Sequence, residues 1–244
     1  MKIFLTAKWR DLALLNWRVQ REVLAPFVPM GTELDNWNGA FYVSLVGFRF
    51  LDTRVLGMPV PLHTSFDEVN LRMYVRREIG NEVHRGVCFL QELVSRPVIA
   101  ASARLTFNEP YRVVEMDEHI VPRGAGEPPS SVEYRWKWSE EWCGFIIKPK
   151  GSPSLPGPSS EEEFITDKPW GFTTQRDGGT LEYHVDHPRW RVWPIDDASV
   201  YGSVGESPEP KLSAVWSTIF GSTPHSVFFA EGSTITIYSP ERIR

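Results

Sequence analysis

"FDEVNLRMYVRR", residues 66–77, alternates almost without a break. Val69, Leu71, Met73 and Val75 fall on one side, and Glu68, Asn70, Arg72, Tyr74 and Arg76 on the other. A period of two is that of a β-strand whose successive side chains point to opposite faces. The apolar face has to be core. The other face is either a wetted sheet surface or the wall of an internal cavity. Alternate strand residues are ~7 Å apart, so Glu68, Asn70 and Arg72 form a ladder spanning ~14 Å, long enough to line a ligand site. Arg76 and Arg77 are expected beyond it, in solvent.

The same reading organises the rest of the chain. "IFLTAKW" (3–9), "RGVCFLQELVS" (85–95), "TLEYHVDHPRW" (180–190) and "STITIYS" (233–239) have strand character, and "GAFYVSLVGFRF" (39–50) is apolar on both faces, as a buried strand is. "SVEYRWKW" (131–138) and "EWCGFIIKPK" (141–150) form a predicted hairpin about residues 139–141, with Val132, Tyr134, Trp136 and Trp138 on one face. A helix is predicted over "NWRVQREVLAPFV" (16–28), where Val19, Val23, Leu24 and Phe27 have helical spacing before Pro29 and Gly31. Another is predicted over "PVIAASARLTF" (97–107), which opens on a proline and stops before Pro110, and a short one within "EEEFITDKPW" (161–170). "NEVHRG" (81–86) reads as a turn, and "GSPSLPGPSSEEE" (151–163) and "GESPEPK" (205–211) as surface loops. Neither loop separates halves that each hold a full set of elements. The expectation is one domain over residues 1–244, mainly β with a few short helices.

Composition narrows the function. A chain of 244 residues with 41% hydrophobic and 23% charged residues can bury one sizeable core. The net charge of −5, with no block of Lys or Arg, offers no footprint for nucleic acid. No apolar run approaches the ~18 residues of a membrane span, and the N-terminus lacks a signal-peptide core. Two cysteines, Cys88 and Cys143, build neither a disulfide framework nor a metal site. A cytoplasmic, soluble protein is expected, with self-association into a homo-oligomer left open.

"HVDH" (184–187) does not read as a metal site, because residues three apart on a strand point to opposite faces. No G-x-S-x-G, P-loop or dinucleotide fingerprint occurs, and no metal or other cofactor is expected. "AASARLTFNEPYR" (100–112) is more telling: Arg104 sits among small and apolar residues, where a guanidinium needs an acceptor. Glu68 is the candidate partner, either as a structural tie between helix and sheet or as the opposite wall of one cavity.

"EVNLRMYV" (68–75), "RLTFNEPY" (104–111) and "EYHVDHPRW" (182–190) resemble the DUF2071, or YqjF-like, family. The resemblance runs from "AKWRDLALLNW" (7–17) through "FVPMGTELDNWNG" (27–39) and "AFYVSLVGF" (40–48) to the C-terminal strands. It implies kinship with the acetoacetate decarboxylase-like superfamily, and hence a cone-shaped, mostly antiparallel β barrel around a cavity. The decarboxylases carry G-R-E-x-x-G-F-P-K-K, which lines up on residues 103–112. Arg104 and Pro110 match, but Tyr111 and Arg112 stand where the two lysines belong. Their chemistry needs an amine, and a guanidinium stays protonated. No two lysines of this chain are adjacent, so the resemblance implies a retained site without the Schiff-base pair. DUF2071 proteins also often carry His-Tyr where this chain has Lys168-Pro169.

These readings combine into a small-molecule site inside a barrel, for an acidic or carbonyl ligand. Glu68 acts as acid/base or orients Arg104, Arg104 neutralises a carboxylate, and Tyr111 donates a hydrogen bond. Asn70, Arg72 and Asn108 complete the ligand-binding set. Such a site serves a lyase or hydrolase working without an imine, or a non-catalytic binder. The alternative is an interaction module with no enzymatic activity.

Overall fold

The strand read from residues 66–77 runs over Phe66–Ile79, and its two faces are the two sides of a barrel wall. The computed structural model describes residues 1–60, 64–138, 140–203 and 210–243. The chain passes through β1 (Ile3–Val19), α1 (Arg21–Leu24), β2 (Glu33–Leu34), β3 (Phe41–Val55), β4 (Met58–Pro59), β5 (Phe66–Ile79), β6 (Glu82–Val94), α2 (Pro97–Thr106), β7 (Tyr111–Val113), β8 (Met116–Val121), β9 (Ser131–Trp138) and β10 (Glu141–Pro149). It continues through α3 (Glu161–Thr166), β11 (Trp170–Thr174), β12 (Thr180–Asp186), β13 (Val192–Trp193), β14 (Ile195–Tyr201), α4 (Ser213–Gly221), β15 (Ser226–Ala230), β16 (Thr234–Tyr238) and β17 (Glu241–Ile243).

Seven strands, in the order β1-β16-β12-β11-β6-β5-β3, close on themselves because β1 pairs with β3 as well as with β16. Within this ring only β11 and β6 run parallel. Closure removes the free edges that an open sheet exposes. A second sheet, β14-β10-β9-β8, packs on the outside. The apolar face of β5 (Val69, Leu71, Met73) points outward and is buried with Tyr134, Trp136 and Phe145 of the second sheet and Trp216 of α4. The opposite face looks into the barrel, where Leu14, Tyr42, Val46, Phe48 and Tyr74 form a separate core. Among the described residues no helix is long and apolar enough to cross a membrane.

Two bulges decide which side chains enter the barrel. In β1, Arg10 pairs with Arg49 and Ala13 with Gly47, so Asp11 and Leu12 together face Phe48. Asp11 takes a φ of 56°, which an Asp tolerates better than most residues. Its carboxylate accepts from Arg49 Nε at 2.9 Å, and its carbonyl accepts from the Tyr134 hydroxyl at 2.9 Å. Ala7 and Trp9 face inward before the bulge, Leu12 and Leu14 after it. In β6, Leu71 pairs with Gln91 and Arg72 with Phe89, which leaves Leu90 as the extra residue. Val87 and Phe89 face inward before it, Glu92 and Val94 after it.

Some expectations need correction. The helix expected over 16–28 forms only in its second half: Asn16–Val19 continue β1, with Trp17, Arg18 and Val19 paired to Val43, Tyr42 and Phe41, while Arg21–Leu24 is α-helical and Ala25–Phe27 a 3-10 turn. Val23, Leu24 and Phe27 of the predicted spacing lie in this helical part, and Pro26, which lacks an N–H, keeps the α-helix short. The turn placed at 81–86 is confined to Gly80–Asn81, and Glu82–Gly86 already pair with β5. Ser139, at the tip of the predicted hairpin, and residues 205–209 of the predicted C-terminal loop lie outside the described residues. The hairpin strands themselves pair antiparallel as β9 and β10.

The second sheet approaches β3 closely because residue 47 has no side chain. A Cβ on Gly47 would lie 2.5 Å from the Tyr134 ring and 2.7 Å from that of Phe145. Gly47→Ala is expected to lose about 1–3 kcal/mol in urea unfolding through overpacking. Gly157→Ala, with open space around it, should stay within about 0.5 kcal/mol. Equal stabilities of the two variants would remove Gly47 from this role.

Candidate functional site

Strand register assembles one end of the barrel interior. Asn70 on β5 lies opposite Glu92 on β6, and Glu92 lies opposite Tyr111 on β7. Directly opposed side chains stand about 4.5–5.5 Å apart at Cβ, so a row of polar groups crosses three strands. Glu68, two residues from Asn70, joins the row diagonally. Its Oε2 accepts from the Tyr111 hydroxyl at 2.8 Å and its Oε1 from Asn70 Nδ2 at 3.1 Å. Glu109, between α2 and β7, accepts at Oε1 from Thr173 Oγ1 (2.5 Å) and from the Tyr183 hydroxyl (2.8 Å). All three carboxyls are buried. Among the described residues, Asn70 Oδ1, Glu92 Oε2 and Glu109 Oε2 find no hydrogen-bond partner.

No cation balances this cluster by an ion pair among the described residues, so protons must. Burial pushes Glu68 and Glu109 up to about 7, while neighbourly hydrogen bonds oppose the rise. Burial, with the repulsion of Glu109 and Glu68, holds Glu92 well above the usual carboxylate range. Burial keeps Tyr111 and Tyr183 as phenols. Near neutral pH the cluster therefore holds carboxylic acids beside carboxylates, and can give or take a proton.

The other end of the ladder is cationic. Arg72 Nη2 donates to the Ile165 carbonyl at 3.0 Å, while its buried Nε has no partner among the described residues. Lys168, just past α3, has a side chain only 4% exposed. Its Nζ lies 3.3 Å from Asp35 Oδ2 and 3.8 Å from the centre of the Phe164 ring. Burial lowers Lys168 to about 8 against the pull of Asp35, and the charges of Arg85 and Arg72 lower it further. His187 stacks on Trp190 at 4.1 Å and is held below its usual pKa chiefly by burial. Between the two ends lies a cavity of about 200 Å³, walled mainly by rings such as Trp9, Phe48, Phe66 and Phe89.

Glu68, Asn70, Arg72 and Tyr111 thus line one cavity, as a set read from the sequence. Arg104 and Asn108 do not. Val98, Ile99, Ala103 and Thr106 are the α2 residues that line the cavity, and Arg104 turns to the exposed side. Its Nε donates to the Tyr111 carbonyl at 2.7 Å, so a backbone oxygen takes the place expected of Glu68. Asn108 donates to the Thr174 carbonyl and accepts from Arg176. With Arg104 it borders a separate, polar hollow at the surface. Sequence reading missed Glu92, Glu109, Tyr183, His187 and Lys168. The bulge at Leu90 hid Glu92, since inward residues three apart on a strand break the alternation. His184 lies against Trp170 and Tyr238, away from the His187–Trp190 stack. Among the described residues no three His, Cys, Asp or Glu are placed to hold a metal. Burial pushes both thiols, Cys88 and Cys143, up.

A closed barrel of seven strands with this topology is the acetoacetate decarboxylase-like fold. The structure superimposes on acetoacetate decarboxylase from Legionella pneumophila with a TM-score of 0.71 at 11% identity, covering 100% of this chain and 88% of that one. It matches the enduracididine biosynthesis enzyme MppR, complexed with pyruvate, with a TM-score of 0.68 at 11% identity, covering 99% and 91%. A decarboxylase-like enzyme from Sphingomonas wittichii gives 0.67 at 11% identity, covering 100% and 94%. The chain itself belongs to the DUF2071 family of conserved proteins, whose profile matches residues 6–234. It is 26% identical over 197 residues to the uncharacterized protein YqjF of Bacillus subtilis, covering 80% of this chain and 76% of YqjF.

The carboxyl cluster makes stability depend on pH in a defined sense. Below about 4.5 Glu68 is protonated in both folded and unfolded chains. Between there and about 7 the unfolded chain ionises while the folded one keeps its proton, so stability falls as pH rises. Glu68→Gln keeps the shape and does not titrate. It is expected to gain on the parent, between pH 5 and 8, by on the order of 2 kcal/mol in denaturant unfolding. A difference independent of pH would show that Glu68 folds ionised.

Proposed function

We propose that the barrel cavity binds a small acidic or carbonyl compound, and that the Glu68–Tyr111 pair exchanges a proton with its oxygen. The observation that carries this reading is the burial of three carboxyls and two phenols around an apolar cavity, without an ion-pair partner among the described residues. A purely structural interior would gain by replacing them, since each unsatisfied buried polar group costs ~1–3 kcal/mol. A carbonyl placed there can accept from the Tyr111 hydroxyl or a protonated Glu68. Glu92, held protonated by burial and with one oxygen unpartnered among the described residues, can donate a further hydrogen bond to that compound. This supports lyase or hydrolase chemistry, with non-catalytic binding as the second reading. MppR, of like fold, is complexed with pyruvate, which agrees with a small carbonyl compound. The two free cysteines support a reducing, cytoplasmic setting.

The test is a panel of small keto acids and esters, followed by thermal shift and product analysis on the parent, Glu68→Gln and Tyr111→Phe. At least one compound should raise the parent's melting temperature, and either substitution should weaken its binding by about tenfold, or about 1.4 kcal/mol. A panel without effect, or effects indifferent to both substitutions, overturns the proposal.

We also propose that the chemistry runs without an imine. Arg112 stacks outward on Trp138 at 4.3 Å, and the one cavity amine among the described residues, Lys168, is engaged by Asp35 and mainly protonated at pH 7. Treatment with acetoacetate and borohydride should leave the protein's mass unchanged. A stoichiometric adduct on any lysine contradicts this.

A further inference from the structure

We infer that the ligand is bifunctional: a carboxylate seated at Arg72 and Lys168, an apolar body along the aromatic wall, and a second oxygen function at Glu68 and Tyr111. The inference rests on the cavity reading above and adds the ligand's class and length.

The cationic end holds a guanidinium without a carboxylate. Arg72 and Arg85 both lie close enough to lower Lys168; Asp35 already accepts from Arg85 Nη1 and Lys168 Nζ, and Arg72 makes no ion pair among the described residues. Arg72 is left with a carbonyl on Nη2 and an unpartnered, buried Nε. A guanidinium presents paired donors that match the two oxygens of a carboxylate. His187 and Thr166 also face this end, and Lys168 keeps donors beyond its contact with Asp35. An incoming carboxylate would satisfy Arg72. A cationic ligand would be repelled.

Length follows from the strand. Residues 68 and 72 lie four positions apart on β5, ~13 Å along the chain. Both side chains reach inward, so the two functions of the ligand stand on the order of 10 Å apart. The wall of the cavity is largely apolar, with Asn70 on β5 between them. An acid as short as pyruvate reaches one end only.

The experiment is calorimetric titration of the full chain with ω-hydroxy and ω-oxo carboxylates from four to twelve carbons. Each acid is paired with its methyl ester, and one mid-length member with its phosphonate. Binding of the acids should peak at an intermediate length, with each ester about tenfold or more weaker. Arg72→Gln and Lys168→Gln should weaken the acid and leave the ester nearly unchanged; Arg72→Lys should restore part of the loss. The acid–ester comparison needs no variant and survives a substitution that fails to fold. Esters binding as well as acids, a phosphonate binding better than the carboxylate, or affinity rising steadily with length overturns this inference and leaves the cavity reading standing. Binding by no member, acid or ester, overturns both.

Discussion

A side chain on a strand points either into the barrel or out of it, and that binary constraint places every polar group in the cavity. Phase is set locally and read out globally. At Asp11 a left-handed residue, held by Arg49 and by the hydroxyl of Tyr134, resets β1 so that Leu12 and Leu14 enter the interior. At Leu90 a second bulge resets β6 and turns Glu92 inward beside Asn70. Without it, Glu92 would face the outer core with Leu90, Leu93 and Trp216. Bulges of this kind re-aim side chains at little cost elsewhere in a sheet.

Once inside, the carboxyls are governed by the absence of water. An ionised carboxylate far from a cation is costly in an apolar interior, so the cheaper state is the neutral acid. The phenols of Tyr111 and Tyr183 donate to these groups, which limits the cost but does not remove it. The same physics acts in reverse on Lys168, whose ammonium is kept mainly by Asp35 and the face of Phe164. One cavity thus contains acids raised and an amine lowered towards neutrality, the arrangement in which proton transfer near pH 7 is easiest.

Much of this was legible in the sequence where a single period ruled. The alternation over 66–77 placed Glu68, Asn70 and Arg72 on one wall because β5 has no irregularity of its own over that stretch. The 131–150 hairpin and the helix opening at Pro97 were equally plain. Arg104 misled because its acceptor is a backbone carbonyl, which every residue carries and no residue type announces. Glu109 and Lys168 escaped because they lie just beyond helices, where no period assigns a direction. The early helix was placed too far towards the N-terminus because strand pairing with β3 takes residues 16–19, leaving the helix to Arg21–Phe27.

The ladder on β5 also explains why its charges do not cancel. Were an arginine at position 70, it would lie opposite Glu92 and beside Glu68, and an internal salt bridge would close the site chemically. Asn70 instead stands between, neutral, donating to Glu68 while leaving its own Oδ1 unpartnered. Acids and cations are thereby held ~13 Å apart at the backbone, too far to neutralise one another. Each end keeps unpartnered polar atoms among the described residues: carboxyl and amide oxygens at one, the Arg72 Nε at the other. Such deficits lower stability, and they persist where surrounding packing over-determines the fold. The closed ring of strands and its outer layer of Tyr134, Trp136 and Trp216 supply that packing. The packed ring thus encloses an interior whose polar groups are left incompletely paired at both ends of one apolar cavity, and the proposed two-ended ligand would complete both.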